Sequence, residues 1–420
     1  MSRAFSLLAS TFLVFLALAV FGGMVWGNSL YARDHPGETA FLVPWLSAQT
    51  FLRYGVSPYE TQAAQRTQIL YYGHLAEEGQ NPLRLYLPFF LEMFFFPLAL
   101  LRDYTLARGL WTLLLQASLA GLLVLALRLS RWKPGRLLMP LLFLFFLLWP
   151  PVLHIWLEAK PVILAALGVA GVLAALRAGQ DELAGALLIL PLCQPNSTAV
   201  FLLFLFWWLA LHRRWRVLAG LAMTLFLLLG LSFFLYPAWF MPWLRGLYAH
   251  LQFVPLLSPG RLMAEWWPAI GGRLGWALTA ILAVILFVEW RAVRGKDFRH
   301  FLWTAALTLA VSPLMGIPVT LDSCVFLLLP LVVLLSLLNE RWSRPRGWGV
   351  SGWLLVALLL GGWAAYLGLF EAGSGAQTLI AALFFSFPFL LLVGLYWVRW
   401  WAVRPFRTWL ERLEAEIKKP

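Results

Sequence analysis

The chain has 420 residues, of which 62% are hydrophobic and only 12% charged, too little charge to cover the surface of a soluble protein of this size. Its net charge of +13 comes from basic residues gathered in short loops between apolar runs, the pattern of a membrane protein's cytoplasmic face and not of a nucleic-acid binder. Cys193 and Cys324 lie in or beside apolar segments and read as buried thiols, which excludes a disulfide framework.

The apolar residues come in long uninterrupted blocks without strand-like alternation, so the expected architecture is an all-α, polytopic transmembrane helix bundle of about 12 spans. The first block, 5–27, follows Arg3 and runs past Trp26 without a small-x-small cleavage pattern, so it reads as a retained span. Residues 28–84 form the first large polar segment. Within it Phe41, Trp45, Ala48 and Leu52 recur at helical spacing from a start near Thr39. Tyr54-Gly55 would end that helix, which is expected to lie in the membrane interface. Ser57-Pro58-Tyr59 reads as a turn, and a second polar helix is expected between Glu60 and Glu77.

Apolar blocks follow at 85–101, 107–127, 137–156, 160–177, 183–211 and 216–236. The block 183–211 is too long for one straight helix and is broken at Pro191 and at Gln194-Pro195-Asn196, giving either one tilted, interrupted span or two half-length helices. Asn196 or Ser197 could cap the second piece. Residues 237–272 are rich in aromatics, proline and glycine. The last blocks are 273–290, 300–315, 319–339, 351–370 and 377–399. The tail, 401–420, carries Phe406, Trp409, Leu410, Leu413 and Ile417 on one helical face and reads as a cytoplasmic amphipathic segment, leaving 1–400 as a single transmembrane domain.

Basic clusters at His212–Arg216, Arg291–Arg299, Glu340–Arg346 and beyond Arg399 are separated by even numbers of blocks, which puts them together on the cytoplasmic side. Loops 237–272 and 28–84 then fall outside, with both termini cytoplasmic. The cluster Arg128, Arg131, Lys133 and Arg136 breaks this parity, so the count in the N-terminal half stays open. A multi-pass protein of the cell inner membrane or plasma membrane is expected.

Polar residues within such blocks are costly and point to cavities or partners. Glu92 sits mid-block, and Glu158 and Lys160 flank a block boundary before Pro161. Gln194 and Asn196 occupy the break in 183–211. Asp322 follows the proline-interrupted turn Ser312–Pro318. The scattered histidines have no metal-ligand spacing, and no nucleotide-binding glycine loop appears, so no metal site and no cofactor are expected.

Several stretches carry a resemblance in order along the chain. The first is Ala40-Phe41-x-x-x-Trp45-x-Ser47-Ala48-x-x-Phe51-Leu52-x-x-Gly55-x-x-Pro58-Tyr59. It is followed by Leu85-Tyr86-Leu87-Pro88, Pro97-Leu98-Ala99-Leu100-Leu101 and Ala107-Arg108-Gly109-Leu110-Trp111. Looser matches are Glu158-Ala159-Lys160 for a Gly-Gln pair, Gln194-Pro195 for a Lys-Pro pair, and Ser312-Pro313. Together these resemble the bacterial membrane glycosyltransferases of family 87, a GT-C group that includes polyprenol-phosphate-mannose-dependent α-mannosyltransferases.

The resemblance implies a polyprenyl-phosphate sugar donor held among membrane lipids, a glycolipid or glycan acceptor, and an acidic base in the first outer loop. That acid falls on Ala40; the nearest acid is Glu38, which becomes the candidate base. Arg84, Lys160 and Arg261 are phosphate candidates, the first and last on charge and position alone. Gln194, Asn196 and Asp322 are candidates for sugar hydroxyls, and Tyr59 and Tyr86 for shaping the cavity. The missing acid also leaves open a non-catalytic membrane assembly protein of the same fold, and the broken helix leaves open a lipid or anion transporter.

Overall fold

The computed structural model describes residues 3–35, 37, 39–253, 257–342, 349–371 and 376–403. Glu38 and the tail beyond Val403 lie outside the described residues. The chain begins with α1 (Arg3–Asp34), α2 (Thr39–Tyr54) and α3 (Thr61–Tyr72). The short helices α4 (Phe89–Glu92) and α5 (Phe96–Ala99) follow, separated by a 3-10 turn. Next come α6 (Tyr104–Ser130), α7 (Leu138–Leu148), α8 (Pro150–Leu157), α9 (Val162–Ala178), α10 (Asp181–Leu187), α11 (Ile189–Leu192) and α12 (Pro195–Leu211). The second half has α13 (Trp215–Leu235), α14 (Phe240–Leu251), α15 (Pro259–Trp266), α16 (Gly271–Ala292) and α17 (Phe298–Val311). It ends with α18 (Leu328–Trp342), α19 (Gly349–Glu371), α20 (Ala376–Trp397) and α21 (Arg399–Val403). Among the described residues the extended pairing is one isolated bridge, Leu257 with Val319.

Each apolar block of the sequence contains helix, and the fold is all-α. The expected dozen spans is not what helix length supports. Seven helices among the described residues are long and apolar enough to cross a bilayer, or eight if the bent pair α7 and α8 is one span. The remaining blocks are cut short by their prolines, which cannot donate to the helical ladder. Pro88 precedes α4 and Pro97 lies in the first turn of α5, and α12 starts at Pro195 with 17 residues. Helix α17 stops after 14 residues, where Ser312-Pro313-Leu314 tightens into a 3-10 turn.

Contacts divide the chain into two compact units. Unit 1 comprises 1–121, 152–167 and 222–255; unit 2 comprises 122–151, 168–221 and 256–420. In unit 1, α2 runs from Thr39 to a stop at Gly55 (φ +64), where the sequence puts its ends, but its partner is protein. Phe41, Trp45, Ala48 and Thr50 are buried against α3 and the segment from α4 to α5. At four-residue steps along α2, Trp45 Nε1 donates to Leu98 O (3.0 Å), Gln49 Nε2 to Leu101 O (3.1 Å) and Arg53 to Leu100 O (3.3 Å). These add donors at the end of α5, where the Leu98 carbonyl also accepts from the Leu101 amide (3.1 Å).

In unit 2, α17 and α18 are buried on all sides, as expected of helices that are apolar all round. Trp303 Nε1 donates to Leu395 O (3.1 Å) and ties α17 to α20. Glu289, nearly buried, is held by both Arg399 nitrogens (2.8 and 3.0 Å) and by the Tyr396 hydroxyl (3.2 Å). Close helix approach uses glycine: a Cβ on Gly275 of α16 would collide with Gly260 of α15. Gly275→Leu is therefore expected to force these helices apart at a cost of about 2 kcal/mol or more. A lowered unfolding temperature of the detergent-purified protein measures this; an unchanged one would contradict the contact.

Candidate functional site

The candidate residues divide between the units, and each group is described within its own. In unit 1 the organising side chain is Arg108, in the second turn of α6 and 2% exposed. Its guanidinium donates to the carbonyl of His35 and, at 2.7 Å, to that of Leu157. Gly37 (φ +78) passes so close that a Cβ there would collide with the guanidinium. Arg108 thus pins both the turn that enters α2 and the end of α8. One helical turn later, Trp111 Nε1 donates to Ala159 O (2.9 Å), and the Trp111 ring packs on Phe41 at 5.8 Å.

At the end of α8, Lys160 N–H reaches Ile155 O (3.0 Å) and Ala159 N–H reaches Trp156 O (3.1 Å), closing a Schellman turn. Ala159 carries the left-handed conformation (φ +59) that glycine adopts at least cost, so this turn is made with alanine. Glu158 and Lys160 flank it, both half-buried. The motif beginning at Ala40-Phe41 and the pair Glu158–Lys160 are therefore brought to the same end of α6. Arg108 was passed over in the sequence as part of a small-residue stretch; an arginine inside an apolar run was the available signal.

The second feature of unit 1 is the docking of α14 on the extended segment 83–88. Gly246 lies against Leu85 O, where a Cβ would collide. Trp243 Nε1 donates to Tyr86 O (2.9 Å), and the His250 ring stacks flat on Tyr86 (3.7 Å, 8°). On the other side, Tyr59 OH donates to Leu87 O (2.8 Å). Arg84 and Arg245 line an open groove of about 470 Å³ beside this contact, together with Met241, Leu244, Tyr248, Ala249 and Gln252.

Glu92 is fully buried, and neither carboxyl oxygen has a hydrogen-bond partner, although the Ala48 amide lies nearby. Burial, and then the proximity of Glu92 and Tyr236, push the Tyr59 phenol far above its ordinary range, so Tyr59 is a permanent donor. A polar group buried without a partner is a liability. Glu92→Leu is expected to raise unfolding stability by about 1–3 kcal/mol. A fall in the unfolding temperature would mean that the carboxyl holds something the fold needs.

In unit 2 the broken helix and the proline turn meet. Ser197 Oγ and Ser323 Oγ lie 2.6 Å apart, joining the first turn of α12 to the 3-10 helix Leu321–Leu327 and bringing Asn196 and Asp322 to one place. The expectation that Asn196 or Ser197 caps α12 is not met: Gln194 is the N-cap residue, without a side-chain cap, and Ser197 is taken by Ser323. Thr198 Oγ1 covers Pro191 O (2.7 Å) and Gln194 O (2.9 Å) across the break. The bridge Leu257–Val319 (2.7 and 2.8 Å) then brings the start of α15 alongside, where Ser258 caps the Arg261 amide (3.3 Å). Gln194, Asn196, Asp322 and Arg261 thus sit on three segments joined by short contacts. Among the described residues no three of His, Cys, Asp and Glu gather as metal ligands.

Burial lowers the His250 pKa from 6.5 to about 4, so the ring is neutral where it stacks on Tyr86. With its pKa depressed in the docked state, the contact has full strength above about pH 6.5 and weakens as pH falls toward 4, by roughly 2–3 kcal/mol at most. Trp243 fluorescence, followed as a wild-type minus Trp243→Phe difference, is expected to change between pH 6.5 and 4. The change should vanish in His250→Phe; if it persists there, another group titrates.

Compared with known proteins, the chain matches the family model described as Glycosyltransferase family 87 over residues 85–313, more than half its length. No curated protein and no solved structure matches it. The matched region holds Tyr86, Glu92, Glu158, Lys160, Gln194, Asn196 and Arg261, while Glu38, Tyr59, Arg84 and Asp322 lie beyond it.

Proposed function

We infer the activity of this chain from its family: it belongs to glycosyltransferase family 87, and we propose that it transfers a sugar from a polyprenyl-phosphate donor to a hydroxyl of an extracytoplasmic or lipid-linked glycan acceptor. The family match, on a chain with seven or eight membrane-length helices, carries this reading. On this proposal the enzyme sits in the cell inner or plasma membrane, with the outer loops facing the acceptor and, from the basic-loop pattern of the sequence, both termini cytoplasmic.

The chemistry needs few groups. The acceptor oxygen attacks the anomeric carbon as the bond from that carbon to the phosphate oxygen breaks. The hydroxyl proton passes to a carboxylate, and the polyprenyl phosphate leaves with the bonding pair. Cations near the departing phosphate lower the barrier by stabilising its charge. We assign the base to Glu38, next to the turn that Arg108 holds, and the phosphate to Lys160, with Arg261 as the cation among the unit 2 candidates. Gln194, Asn196 and Asp322 are assigned to sugar hydroxyls. Support for the first assignment is local: the Glu158–Lys160 turn and the motif at Ala40-Phe41 share Trp111 as a common neighbour.

Purified protein in liposomes, supplied with a panel of polyprenyl-phosphate sugars and glycolipid acceptors, is expected to show transfer. Glu38→Gln should reduce kcat by at least 1,000-fold and Lys160→Gln by about 10–100-fold, consistent with losses of one base and one charge contact. Full activity of Glu38→Gln would remove that residue from the base role. No transfer with any donor would favour the non-catalytic reading that Ala40 invites.

A further inference from the structure

We propose that the groove between Arg84 and α14 is a binding site for an anionic phospholipid, a function beyond the sugar transfer proposed above. Its walls come from two elements that are locked together. Arg84 leads the extended segment, and Arg245 sits on α14, whose docking by Gly246, Trp243 and His250 fixes the two guanidiniums in one groove. The lining holds no carboxylate. Among the described residues neither arginine makes an ion pair or a hydrogen bond, so two like charges share the groove uncompensated. A phosphate is the anion whose geometry a guanidinium fork fits, and two forks match its several oxygens.

The remainder of the lining says what carries the phosphate. Met241, Leu244 and Tyr248 are exposed by 63%, 39% and 69%, and with Phe240 and Leu251 they give α14 an apolar face that no described residue covers. A free phosphate would leave that face in water. A phospholipid covers it with its acyl chains while its headgroup phosphate sits between Arg84 and Arg245. This is how an amphipathic helix lies in the interface, with an added specific site. The groove is open to the surroundings, so a headgroup can enter while the acyl chains lie outside it along α14.

Native mass spectrometry of the full-length protein in an uncharged detergent, with equal phosphatidylglycerol and phosphatidylcholine added, tests this. The wild type is expected to retain phosphatidylglycerol preferentially, and the double variant Arg84→Gln/Arg245→Gln to bind it at least tenfold more weakly. Arg84→Lys/Arg245→Lys should recover part of the binding, because the charge returns without the fork. Both arginines are exposed, so the variants are expected to unfold at the wild-type temperature. Equal phosphatidylglycerol retention by wild type and double variant would overturn the proposal. So would displacement of phosphatidylglycerol by a tenfold lower concentration of a polyprenyl phosphate, which would reassign the groove to the donor. Because this measurement reads bound lipid and not turnover, its result is the same whether or not the protein transfers sugar.

Discussion

A carbonyl released where a helix stops inside a membrane must find a donor, because no water is there to supply one. This protein stops its helices often, and the donors it uses are long side chains reaching from neighbouring helices. Trp45, Gln49 and Arg53 serve the end of α5, and Arg108 and Trp111 serve the end of α8. Arg177 donates to the carbonyls of Arg128 and Leu129 at the end of α6 (2.7 and 2.8 Å), and Thr198 closes the gap before α12. The 24 tryptophans of the chain gain a role in this light. An indole offers one N–H on a large apolar body, so it can cap a carbonyl in hydrocarbon while burying little else that is polar.

These caps also arrange the candidate chemistry. Helix ends are where polar backbone and side chains can coexist with lipid, and Glu158, Lys160, Gln194 and Asn196 sit at such ends. In unit 1 the reversal at Ala159 sets Glu158 and Lys160 beside the motif that starts α2. In unit 2 the hydroxyl pair Ser197–Ser323 and the single bridge at Leu257–Val319 gather the ends of three segments.

Helix positions were legible because apolar length and proline punctuation are one-dimensional signals. The edges of α2 at Thr39 and Gly55 followed from spacing and from the need for a left-handed residue. The span count was not legible: hydropathy averages over a block and cannot see that the helical stretch there runs only from Phe89 to Ala99, with a 3-10 turn at Met93–Phe95. The role of Arg108 was hidden for another reason. Its partners, His35 and Leu157, are 73 and 49 residues away, and both are backbone carbonyls, which no residue type announces. Ser197 shows the converse: local sequence suggested a cap, and a distant serine claimed the hydroxyl.

The ladder of α2 donors onto the end of α5 has a consequence for how this chain tolerates change. Trp45, Gln49 and Arg53 share one face because four residues nearly complete a turn, so each is separately replaceable at the cost of one bond. Adding or removing a single residue ahead of Trp45 rotates everything after it by about 100° relative to its anchor. All three carbonyls would lose these side-chain donors at once. The segment is therefore permissive to substitution and brittle to insertion or deletion, and lineages of such proteins should hold its length more strictly than its letters.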